Sequence, residues 1–377
     1  MRKKKKVFIF IHQCVLSGGV EIVFHTLLNN LPVDEYDITV LSVMGYLKGD
    51  FEDKLYPSQV KRRCLMWDEF SKTSVVKRFC QKFHNRFFPR FYKWWLKFKK
   101  FDVAIAAQEG MYASFVIDNV IARKKMLWIH NDIDICHWTL SHFGTIEAER
   151  EYYGRFNHII CVSESVSESM SRVFGKLDNL CVHHNPIDTR KIDMMLQKAT
   201  PAHPGDVWFV CVGRLVEQKG FDRLIRVCSR LVMEGYQFYV SILGDGQDRN
   251  LLEDMLKEYK VKNVELLGYE PNPFVYMKAA DWFLQTSRHE GFGLALYEAA
   301  YCGIPVITTD VAGARELLGD SEYGIVALNS EDGIYNEMKR VLDMPELHDK
   351  YKTMIETRVP IINLDNRIAS IRALLDN

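Results

Sequence analysis

A chain of 377 residues, 47% apolar and 26% charged, has globular composition and enough length for more than one core. Its formal net charge of zero excludes a surface built throughout for nucleic acid, although a balanced total can conceal local runs. The nine cysteines include no Cys-x-x-Cys pair, so reduced thiols are expected rather than a zinc site or a disulfide framework.

After a basic start, Val7–Ile11 is a continuous apolar run, too short for a signal-peptide core or a membrane span, and the chain is expected to stay in the cytoplasm. The run meets Ser17-Gly18-Gly19, and Ile22, Leu27, Leu28 and Leu31 follow at helical spacing: strand, glycine loop, helix. The same alternation recurs at Ile38–Val43, Val103–Ala107, Met126–Ile129 and His158–Val162. Most of these runs are apolar on both faces, as buried parallel strands are.

Between the second and third of these strands lies a segment of unusual charge. From Lys72 to Lys100 there are ten Lys or Arg and no Asp or Glu, so the rest of the chain carries ten excess negative charges. Phe79, Phe83, Phe87, Phe88, Phe91, Tyr92, Trp94, Trp95 and Phe98 are interleaved with them, and Pro89 reads as an interruption. Cations with interfacial aromatics suit an anionic membrane surface, with Lys93, Trp94, Trp95, Lys97 and Lys100 as lipid contacts. Two other readings stand beside it. The aromatics could pack on the first domain while the cations face water. A single nucleic-acid strand could also use such a mixture, but no RNA-binding or helix-turn-helix signature accompanies it and no nucleic-acid partner is expected.

A second series of apolar runs begins at Val207–Val212 and continues through Phe238–Leu243, Val264–Leu267, Trp282–Gln285, Pro305–Thr308 and Ile325–Ala327, with helical stretches between. The segment from Asn185-Pro186 to Pro204-Gly205 has the composition of a junction. The expected division is an N-terminal domain of residues 1–190, a C-terminal domain of residues 191–360, and a final helix, residues 361–377, packing back on the N-terminal domain.

The chemistry is concentrated in the second series. In Ser287-Arg288-His289-Glu290-Gly291-Phe292-Gly293-Leu294-Ala295-Leu296-Tyr297-Glu298 the glycines open a helix directly after a strand. Unpaired amides and the positive end of the helix dipole there make an anion site that suits a diphosphate. Glu290 in the loop and Glu298 about one turn into the helix reach one ligand from different heights. Ionised carboxylates accept hydrogen bonds and adjacent sugar hydroxyls donate them, so one carboxylate can hold a hexose and the other a ribose. Upstream, Arg214 and Lys219 follow the strand Val207–Val212, at the carboxyl end where open parallel sheets bind ligands. Two cations there can neutralise a departing diphosphate in place of a metal ion, and no metal or other cofactor is expected.

These residues resemble the retaining glycosyltransferases of family 4, whose GT-B fold pairs two facing Rossmann-like α/β domains with parallel sheets across an interdomain cleft. The resemblance covers nearly the whole chain and is strongest from Val212 to Leu318, including Gly303-Ile304-Pro305-Val306-Ile307 and Gly313-Ala314-Arg315-Glu316. Glu290 and Glu298 stand at the ends of a Glu-x7-Glu motif that looks like the family's signature. The resemblance implies that Glu290 contacts the donor sugar, Glu298 the ribose, and Arg214 and Lys219 the diphosphate, assisted by the amides of Gly291, Phe292, Gly293 and Leu294. Ser17-Gly18-Gly19-Val20-Glu21 looks like the family's glycine loop, in which Gly18 and Gly19 bring backbone close to donor phosphate. His130 matches a histidine near the reacting sugar. Gly244-Asp245-Gly246, Gly268 and Tyr269 resemble positions near the nucleotide base.

The resemblance implies a retaining hexosyl transfer, metal-independent and by front-face substitution. A nucleotide-sugar donor, UDP favoured over GDP, would give a hexose or N-acetylhexosamine to a lipid-linked saccharide in bacterial capsule, exopolysaccharide or O-antigen assembly, with the protein peripheral on the inner face of the cell membrane. Other readings are a nucleotide-sugar epimerase of the same fold and a non-catalytic transferase-like binding subunit. Asp132-Ile133-Asp134 superficially resembles a metal-binding Asp-x-Asp, but the second series already supplies cationic phosphate ligands. Gly244-Asp245-Gly246 lacks the third glycine of a nicotinamide-binding loop.

Overall fold

The computed structural model describes residues 3–13, 18–45, 56–58, 60–67 and 75–376. These residues divide into two compact units. The first comprises residues 1–162, 166–186 and 365–377, and the second residues 163–165 and 187–364.

The first unit is built on seven strands: β1 (Lys5–Gln13), β2 (Tyr36–Gly45), β3 (Lys61–Trp67), β4 (Lys100–Ala106), β5 (Ile121–Ile129), β6 (His158–Cys161) and β7 (Leu180–Val182). They form one sheet in the order β3-β2-β1-β4-β5-β6-β7, and every pairing is parallel. Val7–Ile11 lies in β1, inside the sheet between β2 and β4; all five side chains are buried, so both faces of the strand are covered, and the run has no polar alternation. At about 1.5–3 kcal/mol per buried Val, Ile or Phe, this strand alone contributes several kcal/mol to the unit's core.

The helix Val75–Leu96 crosses between β3 and β4 and packs against β3. It runs through Pro89 without ending. Proline removes one donor from the ladder, and the expected interruption does not end the helix. The part of the basic segment before residue 75 lies outside the described residues, as do the side chains of residues 75–81 and 83.

The helix Leu364–Asp376 belongs to the first unit. It buries Ile368, Ile371 and Leu375, and Lys5 and Lys124 donate to its last carbonyls at Leu375 (2.8 Å) and Leu374 (2.7 Å). Cations at a helix C-terminus satisfy orphan carbonyls and the negative end of the dipole together. Tyr36 adds a hydrogen bond to Asp376 at 2.9 Å.

The second unit has six strands: β8 (Val207–Val212), β9 (Phe238–Leu243), β10 (Val264–Gly268), β11 (Trp282–Gln285), β12 (Val306–Thr309) and β13 (Ile325–Ala327). Again all pair in parallel, in the order β10-β9-β8-β11-β12-β13. The helix Phe221–Met233 covers one face and buries Phe221, Leu224, Ile225, Cys228 and Leu231, the i, i+3, i+4, i+7 stripe of a core-facing helix. Each unit is thus a Rossmann-like parallel sheet clothed in helices.

Candidate active site

In the second sheet the chain starts at β8, adds β9 and β10 on one side, then returns to begin β11 on the other. The connections leaving β8 and β11 therefore diverge, and such a switch point is where open parallel sheets hold ligands. Lys219 closes the short 3-10 turn Glu217–Lys219 after β8, and Glu290 lies in the loop after β11. Lys219 Nζ donates to Glu290 Oε1 at 2.5 Å, and Ser287 Oγ donates to the same oxygen at 2.6 Å. Glu290 is 7% exposed. The sequence-expected cation and carboxylate are thus neighbours at the switch point.

Glycines make this approach possible. Gly220 has φ of 68°, and a Cβ there would stand 2.2 Å from the Thr286 carbonyl oxygen, so only glycine lets the Lys219 turn rest on the end of β11. A Cβ on Gly213 would lie 3.3 Å from Cδ and Cε of Lys219, the aliphatic stem of which runs over that backbone.

The loop holding Glu290 is braced by residues that the sequence reading does not single out. Arg223, buried, donates to the carbonyls of Thr286 (2.6 and 3.0 Å) and Ser287 (2.8 Å), and burial lowers its pKa to about 10. Arg288 is paired with Asp222 through two bonds of 2.7 and 2.8 Å. Burial works against the Asp222 carboxylate, but Arg288 and Arg226 hold its pKa at about 2. Gln218 donates to the His289 carbonyl, and Thr309 to that of Ser287. The sequence carries no local signal for Arg223, since it shares its amphipathic helix with Asp222, Arg226 and Arg230.

The helix Leu294–Tyr301 starts from Gly293, which has φ of 78° and no side-chain cap on the first amides. Gly291 and Gly293 are buried and Leu294 half-buried. Phe292 offers only its backbone: its ring is buried and stacked on Tyr297, centroids 4.1 Å apart. An uncapped helix start beside Lys219 is a place for an anion.

Glu298, in that helix, is half-buried, and burial raises its pKa to about 7 while Lys191 works in the opposite direction. Arg214 is exposed on the loop after β8. Tyr269 is exposed after β10, the edge strand, and the Gly244 amide donates to the Gly268 carbonyl at 2.7 Å, so both glycine turns sit at the same sheet end.

In the first unit the switch falls between β1 and β4. Gly18 is the extended N-cap of the helix Gly19–Asn30, and a Cβ on it would meet Glu21 Oε2 at 2.9 Å; Ser17 lies outside the described residues. His130 follows β5. Its ring bonds to the Ala107 carbonyl, Nε2 is buried without a hydrogen-bond partner, and burial lowers its pKa to about 4, so the ring is neutral. The His130 amide donates to Glu109 Oε2 at 3.1 Å, while Asn131 (2.5 Å) and Trp138 (3.3 Å) donate to Oε1. Glu109 is fully buried, and that burial pushes its pKa up. Glu109 is a positioning residue for His130 absent from the sequence reading. The Asp132 carboxylate of the Asp-x-Asp accepts from the amides of Asp134 and Ile135 and from Ser169 Oγ, which accounts for it as a turn brace.

Of the basic-segment residues, Lys93, Trp94, Lys97 and Lys100 are exposed, whereas Trp95 is half-buried with Arg63 and Lys99 over its ring.

Residues 17–191 match the model of Glycosyltransferase Family 4, and residues 196–358 that of Glycosyl transferases group 1. This chain belongs to glycosyltransferase family 4 and has the GT-B fold. It is 35% identical over 156 residues to N-acetylgalactosamine-N,N'-diacetylbacillosaminyl-diphospho-undecaprenol 4-alpha-N-acetylgalactosaminyltransferase of Campylobacter jejuni, a match to 41% of this chain and 42% of that one. It is 26% identical to the lipopolysaccharide core biosynthesis glycosyltransferase LpsE of Rhizobium meliloti, over 54% of this chain and 59% of that one. The matches thus span about two fifths to three fifths of these relatives. Among solved structures, Anabaena HepE in complex with UDP-glucose superposes with a TM-score of 0.73 at 18% identity, covering 98% of this chain and 99% of that one.

Proposed function

We propose that this protein is a retaining, metal-independent glycosyltransferase that moves a hexose or N-acetylhexosamine from a UDP-sugar to a lipid-linked saccharide in the assembly of a bacterial surface polysaccharide, such as capsule, exopolysaccharide or O-antigen. The observation that carries this reading is the Lys219–Glu290 pair beside the uncapped start of the helix Leu294–Tyr301. The pair sets a diphosphate-binding cation and a hydroxyl-binding carboxylate one hydrogen bond apart at a sheet switch point.

In the proposed reaction Glu290 accepts hydrogen bonds from the donor sugar, and Glu298 from the ribose. Lys219, Arg214 and the amides of Gly291 to Leu294 neutralise the diphosphate as the bond between the anomeric carbon and the phosphate oxygen breaks. The acceptor oxygen bonds to that carbon from the same face and its proton passes to the departing phosphate. Neutral His130 lies near the reacting sugar. Gly18 and Gly19 bring backbone to the donor phosphate, and Tyr269 lies against the base. The protein supplies position and electrostatics rather than a nucleophile.

The donor preference is supported by the UDP-glucose bound in HepE, and the acceptor by the diphospho-undecaprenol in the name of one relative and the lipopolysaccharide core biosynthesis in that of the other. The test is thermal shift against UDP, GDP and their sugars with and without EDTA, followed by mass and anomeric analysis of products. Stabilisation by UDP-sugars that EDTA leaves unchanged, with an α-linked product from an α-linked donor, is expected. No stabilisation by any nucleotide would overturn the transferase reading in favour of a binding subunit; conversion of the donor without acceptor would turn it to an epimerase.

A further inference from the structure

The helix Val75–Leu96 has three faces, one of which carries its buried residues; from another, Lys93 Nζ lies 5.9 Å from the centroid of the Phe115 ring. His84, Tyr92 and Leu96 are buried, with Phe88 and Trp95 half-buried beside them; this face lies on β3. On the turn of the helix next to it come Phe87, Phe91, Trp94 and Phe98, which are 49%, 45%, 57% and 68% exposed. Their spacing of four, three and four residues is that of a single helical stripe. The stripe outlasts the helix, because Lys97, Phe98 and Lys99 donate to the carbonyls three residues back and keep the chain winding. Within it the ring centroids of Phe91 and Trp94 are 6.0 Å apart and those of Trp94 and Phe98 5.0 Å, so these three form one aromatic ridge.

The third face repeats the same spacing one residue earlier: Arg86, Arg90, Lys93 and Lys97, all exposed. No described carboxylate pairs with these four, and residues 75–100 contain neither Asp nor Glu. Arg63 from β3 and Lys99 add charge from behind, each with its cation over the Trp95 ring, at 5.2 and 5.5 Å. Among the described residues no helix is long and apolar enough to cross a membrane.

We propose that the paired stripes Phe87/Phe91/Trp94/Phe98 and Arg86/Arg90/Lys93/Lys97 dock this protein on an anionic lipid bilayer, with the rings in the headgroup boundary and the cations among lipid phosphates. Charge complementarity selects the partner. An exposed aromatic ridge is costly in water, and an uncompensated row of cations beside it repels a second copy of itself while matching a negative surface. A lone strand of nucleic acid would also meet cations and rings, but rings and cations in two parallel rows on one helix suit a plane rather than a groove that tracks a backbone. The proposal rests on the lipid-linked acceptor of the proposed function and is independent of the transfer chemistry.

The test is flotation of the purified full chain, without nucleotide, with vesicles of phosphatidylcholine alone or with phosphatidylglycerol, at low and at physiological salt. Binding to the phosphatidylglycerol vesicles only, weakening as salt rises, is expected. Changing Arg86, Arg90, Lys93 and Lys97 to Gln should weaken binding by roughly a hundredfold or more, since each cation at the surface is worth about fivefold. Changing Phe87, Phe91, Trp94 and Phe98 to Ser should reduce it at physiological salt while leaving a salt-sensitive remainder. Changing Lys257, Lys262, Lys278 and Lys352 to Gln removes the same charge from the second unit and should leave binding unchanged. Nucleotide-induced thermal shift, intact in all three variants, shows that they fold. The proposal is overturned by wild type that ignores anionic vesicles, by stripe variants that bind like wild type, by equal loss in the second-unit variant, or by oligonucleotide that displaces the protein from vesicles. Because no donor is present, failure here is distinct from failure to bind UDP-sugar.

Discussion

Lys219 Nζ and Glu290 Oε1 lie 2.5 Å apart, with both side chains largely withdrawn from solvent. Removing one partner leaves the other charge buried. Lys219→Ala should therefore cost about 3 kcal/mol in stability as well as about a hundred- to a thousandfold in transfer rate. Glu290→Gln should lose a similar rate with a smaller drop in Tm, since the amide oxygen still accepts from Lys219, the more exposed of the two. The double variant should regain stability over Lys219→Ala without regaining activity. Thermal melts and kcat for the three variants decide this. An active Lys219→Ala would place the diphosphate elsewhere.

Glu298 gives a pH signature. With its folded pKa raised to about 7 from the usual 4.5, the native state holds a proton that the unfolded chain has released between those values. Stability from this group is thus lost as pH rises through 7. Glu298→Gln should raise Tm relative to wild type at pH 8 and leave it nearly unchanged at pH 5. If the ionised carboxylate accepts from the ribose, the same variant should bind donor about tenfold more weakly at pH 8, and wild-type affinity should fall as pH drops below 7. Equal Tm differences at both pH values would contradict the titration.

Arg223 acts at one remove. Its donations to the carbonyls of Thr286 and Ser287 fix the loop that presents Glu290. Arg223→Met leaves buried carbonyls with fewer donors and should cost about 2–3 kcal/mol, with a rise in KM larger than the fall in kcat. Arg223→Lys keeps the charge but loses the planar fork, and should fall between. A kcat loss with KM unmoved would make Arg223 part of the reacting group itself.

His130 is held neutral with its pKa near 4, so it should not impose an inflection near 6.5 on the pH profile of kcat. Because the unfolded imidazole gains its proton first, stability contributed at this site is lost as pH falls from 6.5 towards 4. His130→Ala should lower kcat about a hundredfold with UDP-induced stabilisation intact. Glu109→Gln, which replaces one acceptor of the clamp with a donor, should lower kcat about tenfold without moving that profile. An imidazole-like inflection in the kcat profile that persists in Glu298→Gln would assign His130 proton transfer instead.

Much of the frame is legible in the sequence because parallel strands buried on both faces read as largely apolar runs; in the second sheet the edge strand β10 departs furthest, with Glu265 exposed and only Val264 buried. β3 and β7 are not legible. Both are sheet edges, β3 opening with Lys61-Arg62-Arg63 and β7 only three half-buried residues long. Glu290, Glu298 and Lys219 are visible because glycines and charges at strand ends stand out locally. Their supports are not: Arg223 reaches Thr286 across 63 positions and Glu109 reaches His130 across 21, and neither distance leaves a periodic trace. The two stripes of the basic segment share one spacing, but only the burial of His84, Tyr92 and Leu96 tells which way the helix is turned.

The ties of Lys5, Tyr36 and Lys124 to the last turn of the helix Leu364–Asp376 bear on how this protein can be taken apart. The first unit is sewn from three stretches of sequence, so no single cut in the gene yields it intact. A fragment ending near residue 186 would expose the strip that Ile368, Ile371 and Leu375 cover, and should be rescued in trans by a synthetic peptide spanning residues 364–376.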